Sequence, residues 1–331
     1  MKRLNRRGKI IFTILAIVLI FIFYKLYKFN KLDAKLEVFS VSQSDAIQDF
    51  AIVDDKYYSL ENGKLTAYGK NGQIFSQDAK NAIKVLADKR IYTFDKDGIV
   101  RKLDRESGKE KDQVNLEMEI VHAEFQDDSI IVYGNDKVIR MNKKLKVKNT
   151  MDKEYGPVKY AFNNDLESVI SLSLDKGKAI SNYSLYQNQE KIFDISTSRE
   201  VFLDTKIIGN KAILVSNAYI YVIENKAIVD KILLKNIQAL DTYKDELALV
   251  DKGELKLFDS DLNGKVLKDL SEEAIGISID RGTIVVLTKN NLYTYKKQNI
   301  RSIGVENPLS LYKNAGNVYV VYKDKIVKVE K

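Results

Sequence analysis

The chain carries one histidine, His122, in the run Glu119-Ile120-Val121-His122-Ala123-Glu124-Phe125. Imidazole is the side chain that shuttles protons near neutral pH and binds transition metals. A single copy leaves a histidine-dependent triad one candidate and excludes any site built on several histidines. The alternation around His122 reads as the first strand of a sheet unit, where a lone histidine has a structural role.

Asp259-Ser260-Asp261-Leu262-Asn263-Gly264 matches the opening positions of a calcium loop. The position that must supply the bidentate glutamate is Leu270, and the flanks read as strands rather than helices. The Asp-Asn-Gly composition is that of a tight turn, as is Asp95-Lys96-Asp97-Gly98. Ser173-Leu174-Asp175-Lys176 and Ser310-Leu311-Tyr312-Lys313 satisfy a Ser-x-x-Lys pattern. In penicillin-binding enzymes that pattern opens a helix and has companion motifs; here both copies fall on strands without them. There is no Gly-rich phosphate loop and no nucleophile elbow. No catalytic, cofactor-binding or metal-binding residue is therefore assigned, no cofactor is expected, and the chain reads as a non-enzyme. The nineteen tyrosines suggest a sugar-stacking platform, yet Tyr92, Tyr133, Tyr221 and Tyr319 lie within strands, where packing accounts for them.

These residues need elements to hold them, and the first is a membrane segment. Lys2, Arg3, Arg6, Arg7 and Lys9 precede Ile10 to Tyr24, fifteen uncharged residues of which twelve are Ile, Leu, Val or Phe. Insertion of such a run is favoured by roughly 4 to 7 kcal/mol. Fifteen residues span only ~22 Å, short of a ~30 Å hydrocarbon core, so the helix is expected to run on to Phe29 with Lys25 and Lys28 snorkelling. Tyr24 to Asn30 are bulky or charged, which argues against cleavage as a signal peptide. The expected order is a basic cytoplasmic tail at 1–9, a transmembrane helix at 10–29, a linker at 30–35 and a domain at 36–331 outside the cytoplasm. Lys25, Lys28, Lys31 and Lys35 on the far flank are expected to lie against anionic head groups.

The charge of +8 resides entirely in residues 1–35; the remainder has 45 basic and 45 acidic residues. That balance excludes the basic footprint of a nucleic-acid binder. With no cysteine, there is no disulfide framework and no thiolate metal site.

The rest of the chain is a repeat. Apolar runs centred on Tyr58, Tyr92, Val132, Leu172, Leu214, Leu249, Val286 and Val320 recur at steps of 34, 40, 40, 42, 35, 37 and 34 residues. Each leads through a Gly- or Asn-containing turn into an alternating strand, as in Lys96-Asp97-Gly98 before Ile99 to Leu103. Four strands in about 37 residues is a propeller blade, and apolar runs without alternation suit a strand covered on both faces. The expectation is an all-β, eight-bladed β-propeller, or a seven-bladed one if the long fourth or short last unit is divided wrongly. The last unit ends one strand short, and Leu36 to Val41 is expected to supply its outer strand and close the ring.

Ile91 to Glu110 and Lys256 to Val266 resemble the repeat of quinoprotein-like propellers. The tryptophan usual in those repeats is absent from the whole chain, so the resemblance implies the blade scaffold and not the quinone site. The layout of basic tail, anchor and Trp-free propeller resembles an uncharacterised family of membrane-anchored propellers from Gram-positive bacteria, which implies no activity. The function expected is a non-enzymatic interaction module for a protein or envelope polymer at the cell membrane. The alternative is a surface glycan hydrolase or lyase that uses paired carboxylates in the funnel. An acidic pair converging there favours the alternative; a smooth, uncharged channel favours the module. The longest unit, with Asn182 to Gln189 near a turn, is the expected functional protrusion.

Overall fold

The computed structural model describes residues 38–40, 47–152, 156–163, 165–259, 261–314 and 316–329. The expected tail, transmembrane helix and linker at 1–35 lie outside the described residues. Among those described there is no helix long and apolar enough to cross a membrane.

Eight four-stranded antiparallel sheets follow one another along the chain, over 47–78, 82–115, 120–152, 156–197, 202–233, 237–269, 274–304 and 310–329 with 38–40. We number them blades 1 to 8 and letter their strands A to D from the channel outward. In blade 8 the outer strand is Val38–Ser40, which pairs Val38 with Val327, Phe39 with Ile326 and Ser40 with Lys325. The closure expected from Leu36 to Val41 is thus present at Val38–Ser40, and the blade count among the described residues is eight.

The core consists of eight apolar clusters, one at each contact between neighbouring blades. Strand B explains why. In Glu246–Asp251 of blade 6, Leu247 and Leu249 face blade 5, where they meet Ile213 and Val215. Ala248 and Val250 face blade 7, where they meet Ile284 and Val286. Successive side chains of a strand point to opposite faces, and both faces are covered, so every position is apolar. The four tyrosines Tyr92, Tyr133, Tyr221 and Tyr319 are buried in these clusters and present no sugar platform.

Polar bonds tie blade 8 to blade 1 and on to blade 2 as well. The Asn314 amide donates to the carbonyls of Ile52 and Ala87, both at 2.7 Å, and the Tyr319 hydroxyl donates to the Asp54 carbonyl at 3.2 Å.

All A strands start on one face of the ring, here called upper, which also carries the B–C turns. The lower face carries the A–B and C–D turns. Outer strands run from lower to upper, so the Val38 end of Val38–Ser40 lies toward the lower face.

Candidate functional site

The A strands line the central channel, and in blades 1 to 7 each carries a bulge near its upper end. The bulge puts the next residue at the same height in every blade: Asp49, Lys84, His122, Lys159, Asp204, Ala239 and Gly276, with Ser310 in blade 8. Two residues lower stand Ala51, Leu86, Glu124, Ala161, Lys206, Asp241, Ser278 and Tyr312. These two rows carry three lysines and four carboxylates, and Lys313 on strand A of blade 8 adds a fourth ammonium, so the channel is neither smooth nor purely acidic.

Three carboxylates hold lysines. Lys84 Nζ donates to Asp49 at 2.9 Å, and the other Asp49 oxygen accepts the Val85 N–H of the next blade at 2.7 Å. Lys159 Nζ lies 3.2 Å from Glu124, which also accepts the Tyr133 hydroxyl at 2.6 Å. Lys313 Nζ donates to Asp241 at 2.7 Å, and the Ile279 N–H joins the same oxygen at 2.8 Å. Burial opposes the charge on Lys159, but Glu124 and Asp204 outweigh it and hold its ammonium above the usual lysine range.

Asp204 and Lys206 are different. Among the described residues neither has an ion-pair partner; the only hydrogen bond to Asp204 comes from the Thr205 N–H, at 2.9 Å. Burial raises the Asp204 carboxyl above the ordinary range, with Lys159 opposing and Glu124 and Asp241 adding to the rise. Burial lowers the Lys206 ammonium, with Asp127 and Asp241 opposing. A carboxyl with a raised folded-state pKa favours the folded state at low pH and costs it stability as pH climbs above the unfolded value of about 3.9. Asp204→Asn is therefore expected to raise Tm at pH 7, with the gain shrinking to nothing below about pH 4. Thermal unfolding at a series of pH values checks this.

His122 stands in the upper ring, its ring tilted by 35° against that of Tyr133 with centroids 5.8 Å apart, and is exposed. Burial and the Lys84 ammonium push its pKa below the usual histidine value, against the pull of Glu124. It lies on a first strand as expected, but it faces the channel rather than a packed core.

The other motifs do not converge on chemistry. The Asp259 carboxylate accepts the N–H groups of Asp261 and Asn263 at 2.9 and 3.0 Å, so donors fill the space a cation would take. Among the described residues no acidic or histidine cluster suits a metal. Asp95 is buried and pairs with Arg101, and Gly98 turns at φ +96°, where a Cβ would meet the Met118 carbonyl at 2.6 Å. Ser173 accepts the Asn182 amide at 2.9 Å, while Lys176 lies on the following turn. Ser310 is exposed on strand A of blade 8, where Lys313 is engaged with Asp241.

The protrusion on blade 4 is at the other end from the one expected. Asn182 to Gln187 lie within strand C, paired on both sides. The extra length is in the B–C hairpin, whose strands Leu166–Asp175 and Lys178–Gln187 have ten residues each, against five or six in strand B of every other blade. Its tip rises above the upper face and carries Leu172 and Leu174, 44% and 79% exposed. Further apolar side chains are exposed around the upper mouth: Val121, Val158 and Ile275 at the bulges and Leu309 ahead of blade 8. Beside them is a cleft of about 570 Å³ lined by Gln48, Ile83, Lys96 and Met118.

No protein-family model and no curated relative matches the sequence. Solved structures do. Sqt1 of Chaetomium thermophilum, bound to the N-terminus of the ribosomal protein L10, is similar over 89% of this chain and 98% of its own, at 10% identity and TM-score 0.62. The computationally designed Ika8 protein is similar over 89% and 97%, at 12% identity and TM-score 0.61. BamB from Moraxella catarrhalis is similar over 88% and 99%, at 13% identity and TM-score 0.55. At such identities the likeness is one of fold, and the fold is the β-propeller.

Proposed function

We propose that the chain is a membrane-anchored propeller outside the cytoplasm that binds a protein partner across its upper face, without catalysis. The observation that carries this reading is a group of exposed apolar side chains gathered around the mouth of one face, whereas those toward the other side, Tyr68, Ile74, Val147, Ile228 and Val229, are spread along separate outer strands. Val121, Val158, Leu172, Leu174, Ile275 and Leu309 all belong to the face opposite the Val38 end of the closing strand. An anchor at 10–29 turns the lower face toward the bilayer and the upper face away from it. Apolar side chains on a rigid ring, at loops and bulges, are a protein-binding surface. The Sqt1 propeller, bound to the terminus of another protein, offers a precedent for the fold in that role.

The channel favours binding over glycan hydrolysis. A retaining glycosidase needs two carboxylates about 5 Å apart that are free to attack and to donate a proton. Asp49, Glu124 and Asp241 are instead occupied by lysines.

The absence of cysteine makes the test clean. Lys226→Cys, on a lower-face turn, is expected to react with a membrane-impermeant maleimide in intact cells; labelling only after lysis overturns the topology. Chemical cross-linking of the tagged full-length protein in the same cells is expected to yield a discrete protein adduct. Recovery of glycan alone contradicts the binding reading.

A further inference from the structure

The blade 4 hairpin is the largest departure from eightfold regularity among the described residues. Side chains at Leu166 and Ile170 pack against blade 5, joining Phe202 and Leu214 in one cluster. Leu172 and Leu174 continue the same face of the strand, but above the point where blade 5 ends. The Ser181 hydroxyl, opposite Leu172 in the ladder, accepts the N–H of Phe202, the first residue of blade 5. The two leucines thus overhang the top of blade 5 beside Val201, which is 50% exposed. Ala179, opposite Leu174, completes an apolar strip that nothing in the described structure covers.

The charges around the strip are mostly positive. Lys176 and Lys178 stand at the hairpin tip and Arg199 two residues before Val201, all exposed. Among the described residues none of the three has a carboxylate within ion-pair distance. Asp175 is the one acid at the tip; Glu200 is engaged by the hydroxyls of Ser216 and Tyr221. The outer edge of the hairpin, Lys178 to Ile180, extends beyond strand D, whose pairing ends at Ser181 opposite Thr197. Its backbone groups are therefore open to another strand, and lysines on an open edge deter self-pairing while admitting an acidic strand.

We propose that this hairpin is the docking element of the chain: Leu172, Leu174, Ala179 and Val201 receive an apolar segment of a partner protein that is bordered by Asp or Glu side chains, which pair with Lys176, Lys178 and Arg199. This rests on the protein-binding reading above and makes it specific. The strip is aliphatic with no aromatic ring, which suits a protein side chain rather than a sugar face. The hairpin stands on the face opposite the Val38 end of the closing strand.

The test uses the full-length protein in its own membrane, with p-benzoylphenylalanine in place of Leu174 and irradiation of intact cells. One discrete peptide-containing adduct is expected. The paired changes Lys176→Glu and Lys178→Glu are expected to cut its yield at least about 10-fold, because two attractive pairs become like-charge repulsions. So is replacing residues 173–180 with a two-residue Asn-Gly turn, which keeps the Leu172–Ser181 pair and the Ser181 bond to blade 5. Both changes lie above the packed ring, and an unchanged Tm shows the fold intact. No adduct at this position, an adduct of lipid or glycan, or a yield indifferent to charge reversal overturns the proposal. Adducts from the same probe at Val121 or Leu309, with none at Leu174, overturn the hairpin site and leave the protein-binding reading standing; none at any position removes both.

Discussion

Asp251→Ala lowers the stability of the propeller by about 3–5 kcal/mol, the cost of breaking a buried charge pair. Asp251 is wholly buried at the end of strand B in blade 6. One carboxylate oxygen accepts the N–H groups of Lys235 and Asn236 at 2.8 and 2.7 Å, and the other accepts Lys256 Nζ at 2.7 Å. The group thus ties the connection from blade 5 to the turn of blade 6. Alanine leaves two backbone donors and a largely buried ammonium without their acceptor, and each buried orphan costs about 1–3 kcal/mol. Asp251→Asn keeps an oxygen for the two N–H groups and is expected to lose about half as much. At about 2–4 °C per kcal/mol for a domain of this size, the alanine variant melts roughly 10 °C lower. Burial alone would raise the Asp251 pKa, but the bonds from Asn236, Lys256 and Lys235 outweigh it and hold the carboxyl below its ordinary range. Its contribution is therefore complete above the unfolded value of about 3.9 and fades as pH falls through the lower folded value. Melting curves of wild type and Asp251→Ala are expected to stand fully apart at pH 6 and converge below pH 4.

Removing the closing strand is the second large effect. A chain that starts at residue 36 keeps Val38–Ser40 beside Lys325–Val329; a chain that starts at residue 46 loses all three pairings. At about 0.5–1.5 kcal/mol for each hydrogen bond, the shorter chain loses roughly 2–4 kcal/mol. The unpaired edge of the strand carrying Ile326 to Val329 is then a template for association between molecules. The expected result is a lower Tm and concentration-dependent oligomers for the shorter chain, with neither for the longer one. Equal melting and monomeric behaviour of the two would mean that the apolar cluster and polar bonds between blades 8 and 1 hold the ring without the outer strand.

The blade architecture was legible in the sequence because its causes are local. Runs such as Leu247-Ala248-Leu249-Val250 are apolar at every position only when both faces are covered, and Asn-Gly turns mark where strands reverse. The closing strand was legible by elimination, since Val38 to Ser40 had no partner nearby. The channel site was not legible. Asp49, Lys84, His122, Lys159 and Asp204 lie 35 to 45 residues apart, and only the bulge in each A strand brings them to one height. A bulge changes which residues share a face without changing composition, so periodicity does not reveal it. The hairpin was misplaced for a related reason. In the ladder the residue equivalent to Tyr58 is Ser168, not the more apolar Leu172. Centring the fourth unit on Leu172 moved its extra length toward Asn182 to Gln189. Counted from Ser168 to Ile213, its equivalent in blade 5, the step is 45 residues, and the insertion stands out.

A protein partner is expected on the upper face of the ring and not on the lower one. The most direct measurement places a photo-cross-linker singly at Val121 and Leu309 on the upper mouth and at Lys144 and Lys226 on lower turns, in the full-length protein in intact cells. Protein adducts from the upper positions and none from the lower ones are the predicted result. Adducts confined to Lys144 and Lys226 would contradict it, and would mean that the partner lies on the side of the Val38 end of the closing strand.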